Sequence, residues 1–370
     1  MIRTKKTFIL LLAILLSPVI LFAQVGKAEK DSSKTVLFAA VPVVNYNNSL
    51  GLMMGGMTSG YYKLNRKDTI SPSSFTMLAG LYTTNKSYMG AIIQNLYFNE
   101  DRWRFKGIAG TGSFYFQYLQ GLPGGSSGKL QNNGIWIDFD TDARFVLAEI
   151  QRLVFPHFYV GLEAMLMHAE TTFELPVGDL KPKIISDLNS LGYTLAFDNR
   201  DNVNFPVNGF FINFKNRFVR DWIGASDNYD NYEIAANYFW DIKKNSKTVL
   251  VSRLYANIAS GDVPFQGQNT IGSDDLRGYS KGEFRGNQVY AIQSELRQNV
   301  YKKIGVVGFV GVGAAVDEFS EIKDNSLLPS IGFGVRYLMI AKEKINIGMD
   351  VGVGKNDWSL TFRIGEAFSR

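Results

Sequence analysis

Alternation of residue character, repeated along most of the chain, is the feature that most limits what this protein can become. Ile345, Ile347, Met349, Val351 and Val353 are apolar, while the intervening Asn346, Gly348, Asp350 and Gly352 are polar or small. The final segment sets Trp358, Leu360, Phe362 and Ile364 against Ser359, Thr361, Arg363 and Gly365. Further back, Tyr232, Ile234, Ala236, Tyr238 and Trp240 oppose Glu233, Ala235, Asn237 and Asp241. Successive side chains of a strand point to opposite faces, so a period of two is a strand code.

Such alternation suits either a soluble sandwich, whose apolar face meets a second sheet, or a membrane barrel, whose apolar face meets lipid around a polar interior. Three features favour the barrel. The parity assigned to the interior carries full charges deep within segments: Asp138, Asp140, Asp142 and Arg144; Lys215 and Arg217; Arg253; Glu295 and Arg297; Arg336; Asp350; Arg363. A hydrated lumen permits them. The other parity carries Phe, Tyr and Trp throughout, and connections alternate between short and long. Helical spans are excluded, because each needs about 20 apolar residues and the single long apolar run is N-terminal.

Clusters of Gly, Asn, Asp, Ser and Pro divide the chain into about sixteen segments of the kind a transmembrane barrel uses. They lie near 35–46, 50–63, 74–85, 87–98, 102–117, 134–148, 157–172, 190–199, 208–219, 229–242, 247–259, 286–300, 304–317, 328–340, 344–354 and 357–368. The second to fifth alternate less cleanly. The fold class expected is all-β, a transmembrane antiparallel β-barrel. An even count keeps both ends in the periplasm and puts the long connections 119–133, 173–189 and 260–285 outside.

Residues 1–23 have a basic start, an apolar stretch from Phe8 to Leu16, Ser17-Pro18 and a small residue at Ala23, the layout of a secretory signal peptide. Residues 24–34 read as a periplasmic linker and 35–370 as the barrel. Three positive charges, Arg3, Lys5 and Lys6, belong to the leader, so the formal net charge of +5 falls to +2 without it. The remaining charges are interspersed, which argues against a nucleic-acid partner. The absence of cysteine rules out disulfides, thiolate metal sites, a cysteine nucleophile and a lipidated N-terminus.

The connection before the twelfth segment contains Gly272-Ser273-Asp274-Asp275-Leu276-Arg277-Gly278-Tyr279, followed by Phe284-Arg285-Gly286-Asn287-Gln288 and Glu295-Leu296-Arg297. Upstream, Leu191 to Asn202 (LGYTLAFDNRDN) leads into Phe205-Pro206 and Gly209; downstream lie Phe309, Gly311, Gly313 and Gly365-Glu366-Ala367-Phe368. Together these residues resemble the outer-membrane assembly-factor (bacterial surface antigen) superfamily, which includes barrel-assembly insertases and two-partner-secretion transporters. The resemblance covers essentially the whole mature chain and is most specific from Leu191 to Phe368. It implies sixteen strands, with loop six folded into the lumen and its Arg-Gly-aromatic tip against the wall. The segment count places Leu276 to Tyr279 in loop six independently of the motif.

The sequence departs from the superfamily pattern in two ways. Most members carry N-terminal polypeptide-transport-associated (POTRA) domains, whereas here about ten residues separate the leader from the first strand, so a POTRA-less barrel is expected. The position two after the segment-13 Phe is often Asp in the family; here it is Gly311, so the lock on Arg277 is expected either to be weaker or to rest on Glu295 as its sole carboxylate. A confined guanidinium needs an acceptor, and Arg suits paired contact with a carboxylate. Glu295 shares parity with Gln293 and Arg297, opposite Ile292 and Leu296, so it faces inward, as does Phe309. The loop-6 lock expected is Arg277, Gly278, Tyr279, Glu295, Phe309 and Gly311, with Phe309 beside Tyr279. Pro42, which cannot donate a ladder hydrogen bond, and Gly365 are expected at a weak seam between strands 1 and 16.

His157 and His168 have no serine elbow or ligand cluster nearby in sequence, so an enzyme, a metal site and a cofactor are not expected. Asp274-Asp275 reads as a solvated turn rather than a cation site. The resemblance implies a Gram-negative outer-membrane location and a role in inserting or translocating proteins or lipids, with lipid, client outer-membrane proteins or envelope subunits as partners. The alternative is a pore or structural subunit of an outer-membrane complex.

Overall fold

A computed structural model describes residues 36–47, 50–121, 134–174, 181–272, 274–323 and 326–368. The leader, the linker, the middle of the connection 119–133, part of 173–189 and Ser273 lie outside the described residues. Sixteen antiparallel strands are present among the described residues. They are β1 Val36–Asn47, β2 Gly51–Tyr62, β3 Ser74–Thr83, β4 Tyr88–Phe98, β5 Trp103–Gly121, β6 Gly134–Phe155 and β7 Phe158–Glu174. β8 runs in two pieces, Lys183–Asp187 and Ser190–Asp198, both paired to β7. Then follow β9 Gly209–Val219, β10 Tyr229–Asp241, β11 Thr248–Gly261, β12 Gln288–Tyr301, β13 Ile304–Val316, β14 Leu328–Ile340, β15 Ile345–Val353 and β16 Trp358–Ile364.

Each strand pairs with its sequence neighbour, and β1 pairs with both β2 and β16, so the sheet closes into a barrel and leaves no edge. The only helical elements described are three 3-10 turns of three residues each, and no described helix is long and apolar enough to cross a membrane. Leu162, Leu166, Ile292, Val310, Ile331 and Phe333 are more than half exposed on the outer face. A contiguous apolar surface of this extent needs lipid rather than water against it.

The parity reading holds on β10, β12, β15 and β16. On β12, Gln293, Glu295 and Arg297 are buried while Ile292 and Leu296 are exposed. It fails on β6. There Phe139 is buried against Phe173 and Phe265, and Glu149 is buried, so the odd positions face inward. Asp138, Asp140, Asp142 and Arg144 therefore share the outer face with Val146 and Ile150. The reason is length. β5 and β6 span 19 and 22 residues, well beyond the 9–11 needed to cross a bilayer, and the charges sit on the part that overshoots the apolar belt. The segment expected at 134–148 is thus the upper part of a longer strand. At the other end of the barrel, register shifts occur between Leu153 and Phe155, Asn299 and Tyr301, and Leu338 and Ile340, all beside short turns. Bulges there sharpen the local twist.

Candidate functional site

The longest connection joins β11 to β12, residues 262–287. Its neck is a two-residue ladder of Asn269–Thr270 with Arg285–Gly286, and Ile271, Leu276 and Tyr279 are buried in one cluster with Tyr255, Val289 and Leu328. Apolar side chains in a loop otherwise rich in Gly, Ser and Asp are what seat it.

Arg277 is 2% exposed. Its Nη2 lies 2.7 Å from Glu295 Oε2, but neither atom meets hydrogen-bond geometry, so this contact is Coulombic. Properly aligned bonds run from Nη1 to Asp350 Oδ2 at 3.1 Å and from Nε to Gln293 Oε1 at 3.0 Å. The guanidinium also stands 3.7 Å over the Phe309 ring, a cation–π contact. Asp350 holds three guanidiniums at once: besides Arg277 it accepts from Arg336 Nη1 at 2.5 Å and Arg363 Nε at 2.9 Å. Arg297 Nε donates to Glu295 Oε1 at 2.6 Å, and Arg336 Nε to Glu366 Oε2 at 2.9 Å. The charges alternate around a closed circuit, which is what allows so many to be buried.

Backbone contact fixes the tip. Gly278 has φ +101°, and a Cβ there would lie 2.9 Å from the Val353 backbone. A Cβ on Gly352 would lie 2.6 Å from Gly278 N, and one on Gly354 would strike the Tyr279 ring. Gly278 N donates to Ser359 Oγ at 3.1 Å, Ser280 N to Asp357 Oδ2 at 2.6 Å, and Tyr279 Oη to the Pro329 carbonyl at 2.5 Å. The Ser330 hydroxyl donates to the Arg277 carbonyl. Residues of β12, β13, β14, β15 and β16 thus all touch the tip or its flanks.

Three expectations change. Glu295 is not the sole carboxylate: Asp350 on β15 supplies the second, from the wall two strands beyond Gly311. Tyr279 does not sit beside Phe309; its ring meets Phe284 edge-on at 5.4 Å, and Phe309 underlies Arg277 instead. Asp275 is not the solvated turn residue expected, since it is partly buried and its Oδ1 pairs with Arg253 at 2.8 Å; Asp274 is an exposed turn residue as expected, and its Oδ1 also pairs with Arg363 at 2.8 Å. Gly311 leaves room for Leu276, whose Cδ1 would lie 2.9 Å from an added Cβ.

The seam also differs from expectation. Among the described residues, β1 and β16 are in register at two positions, Tyr46 with Leu360 and Asn47 with Ser359. Tyr46 stacks on Trp358 at 4.5 Å. Pro42 lies on β1, but Gly365 lies past the end of β16. At φ +87° its amide donates to Asn346 of β15, and the chain turns so that Glu366, Ala367 and Phe368 are buried. The Phe368 carbonyl accepts from Asn237 across the barrel at 3.0 Å. A glycine in the left-handed region permits that change of direction, so Gly365 ends the strand rather than weakening it.

A second charged cluster lies on β6, β7, β9 and β10. Lys215 Nζ bonds Glu149 at 2.7 Å and Glu163 at 3.0 Å, and Arg217 bridges Glu163 and Glu233. His168 pairs with Asp187 at 2.7 Å on the exposed side.

The sequence model of the Omp85 superfamily domain matches residues 136–368. The chain belongs to the Omp85 superfamily. A comparison with curated proteins finds no match. Among solved structures, this Omp85 barrel is similar in fold to BamA from Haemophilus ducreyi lacking POTRA domains 1–3, with a TM-score of 0.57 at 12% identity over 89% of this chain and 70% of that one. CdiB from Acinetobacter baumannii gives 0.59 at 12% identity, over 90% and 60%. CdiB from Escherichia coli gives 0.58 at 11%, over 89% and 63%. The chain thus spans 60% to 70% of the length of these structures. An outer-membrane setting agrees with both the family and the apolar belt.

Proposed function

We propose that this barrel assists the insertion or translocation of proteins or lipids at a Gram-negative outer membrane, by parting β1 from β16 under the control of loop six. In this reading the connection 262–287 is folded into the lumen and Arg277 locks it there. The observation that carries the reading is the contrast at β16. Among the described residues its register with β1 covers two positions, while the loop tip braces it through Gly278 on Ser359 and, just before the strand, through Ser280 on Asp357. A strand fastened both to β1 and to the loop loses part of its hold when the loop lets go, and β1 then has less to part from. Client polypeptides and lipid would then meet at the seam, and the short turns would face the periplasm.

The chain has no native cysteine, so a disulfide between Tyr46→Cys and Leu360→Cys can be read cleanly. These positions oppose each other directly, and cross-strand Cβ atoms about 4.5–5.5 Å apart need only a small shift to form the bond. The crosslinked protein is expected to fold and reach the membrane but to lose client or lipid insertion into liposomes until a reductant is added. Full activity with the bond formed would mean a closed pore that never opens sideways.

A further inference from the structure

At the short-turn end of the barrel a cavity of about 360 Å³ shares Arg297, Arg336 and Glu366 with the Arg277 network. Its rim carries Lys247, Lys303 and Lys344, all exposed and each from a different turn, those between β10 and β11, β12 and β13, and β14 and β15. Its floor holds Arg297, which is 3% exposed yet has an Nη2 with no hydrogen-bond partner. The rest of that guanidinium is committed, Nε to Glu295 at 2.6 Å and Nη1 to the Pro206 carbonyl at 3.5 Å.

The two carboxylates in the lining are occupied as well. Asp201 Oδ1 accepts from the Val207 and Asn208 amides, and Glu366 accepts from Asn346 Nδ2 and Arg336 Nε. Arg336 is spent on Glu366 and Asp350, so the cationic groups left to meet a ligand in this space are the three rim lysines and the Nη2 of Arg297. A buried N–H without an acceptor costs free energy until one arrives, and a guanidinium edge suits a planar or tetrahedral oxyanion. The remaining wall sets polar Ser246, Gln298, Asn299 and Asn346 beside an apolar side that includes buried Val207, Val249 and Val307. The volume falls in the range of about 300–1,000 Å³ typical of small-molecule sites, more room than a bare oxyanion fills.

We propose that this cavity binds an oxyanion headgroup carried on an alkyl chain, with the oxyanion on Arg297 Nη2 and the lysine rim and the chain along the valine wall. The shared chemistry is that of a phosphate monoester, whether free or part of a lipid. The inference stands apart from the insertion reading, and its failure leaves that reading untouched.

The test is calorimetric titration of the purified barrel in a neutral maltoside detergent, with dodecyl phosphate and with inorganic phosphate as separate probes. Dodecyl phosphate is expected to bind saturably and inorganic phosphate at least a hundredfold more weakly. The triple variant Lys247→Ala, Lys303→Ala, Lys344→Ala should weaken dodecyl phosphate at least tenfold. The matching triple Lys→Arg variant should retain binding, which separates loss of charge from loss of fold. No saturable binding to the native barrel, or equal affinity in the alanine triple, would overturn the site. Equal affinity for the two probes would overturn the alkyl part of the proposal.

Discussion

Two buried charge clusters line this barrel, and they differ in what they hold together. Around Lys215 every partner comes from a strand: Glu149, Glu163, Arg217 and Glu233 lie on β6, β7, β9 and β10. Around Arg277 the strands supply Glu295, Asp350, Arg297, Arg336 and Arg363, but the central cation arrives on a loop. The first cluster is rivet-like, because its members are already positioned by the ladder. The second exists only while the loop is seated, so its electrostatic energy is coupled to one movable segment. The same strand code thus produces a fixed support on one wall and a releasable one on the other.

The largest expected effect separates them directly. Asp350→Asn keeps the shape but leaves three guanidiniums without their shared carboxylate. Breaking a buried ion pair costs about 3–5 kcal/mol, and here the loss should appear as an unseated loop. Hydrogen exchange at residues 274–280 is expected to rise sharply while the strand amides stay protected. Unchanged exchange in that stretch would show that the apolar seat alone holds the loop.

Lys215→Met is the counterpart on the other wall. It leaves Glu149 without its cation while Glu163 keeps Arg217, so the cost should be that of lost charged hydrogen bonds, roughly 1.5–3 kcal/mol. Heat-modifiability on gels should show a less stable barrel, with loop exchange unaltered. A loosened loop in this variant would mean the two clusters are one network.

Gly311→Asp tests whether charge or space governs the seat. The added Cβ would lie 2.9 Å from Leu276 Cδ1 and 3.0 Å from Gln293 Cγ. Overpacking of this kind costs about 1–3 kcal/mol, so the new carboxylate should loosen the loop despite lying near Arg277. Slower proteolysis of the loop than in the native chain would show that the gain in charge wins.

The smallest effect is a pH dependence. Burial, then the neighbouring Asp357 carboxylate with which Glu283 shares a hydrogen bond, pushes the Glu283 carboxyl up to about 7. A raised carboxyl pKa favours the seated loop when the group is protonated. That contribution is fully present below its ordinary value of 4.5 and is lost as pH rises through about 7. Loop exchange should therefore be slower at pH 5.5 than at pH 8, and Glu283→Gln should flatten the profile. An unchanged profile in that variant would assign the dependence to another group.

Composition and period two by themselves pointed to a many-stranded barrel and placed its strands; grouping Arg277 with Glu295 and Phe309 took the inward parity of the last two together with the loop motif and its resemblance to the superfamily. The strands were legible because strand geometry ties a side chain's face to its parity, and that rule is local. It broke on β6, where overshoot beyond the apolar belt put Asp138, Asp140 and Asp142 outside; parity says which residues share a face, not which face is wet. What the tertiary structure alone decided was partnership across the barrel. Asp350 lies 73 positions from Arg277 in sequence, and Phe368 reaches Asn237 over 131. Both become neighbours only because a closed sheet brings distant strands around to face one another. Gly365 carries the same lesson at a single residue: its place in the pattern says strand, and its positive φ, set by the packing of the residues that follow, says turn.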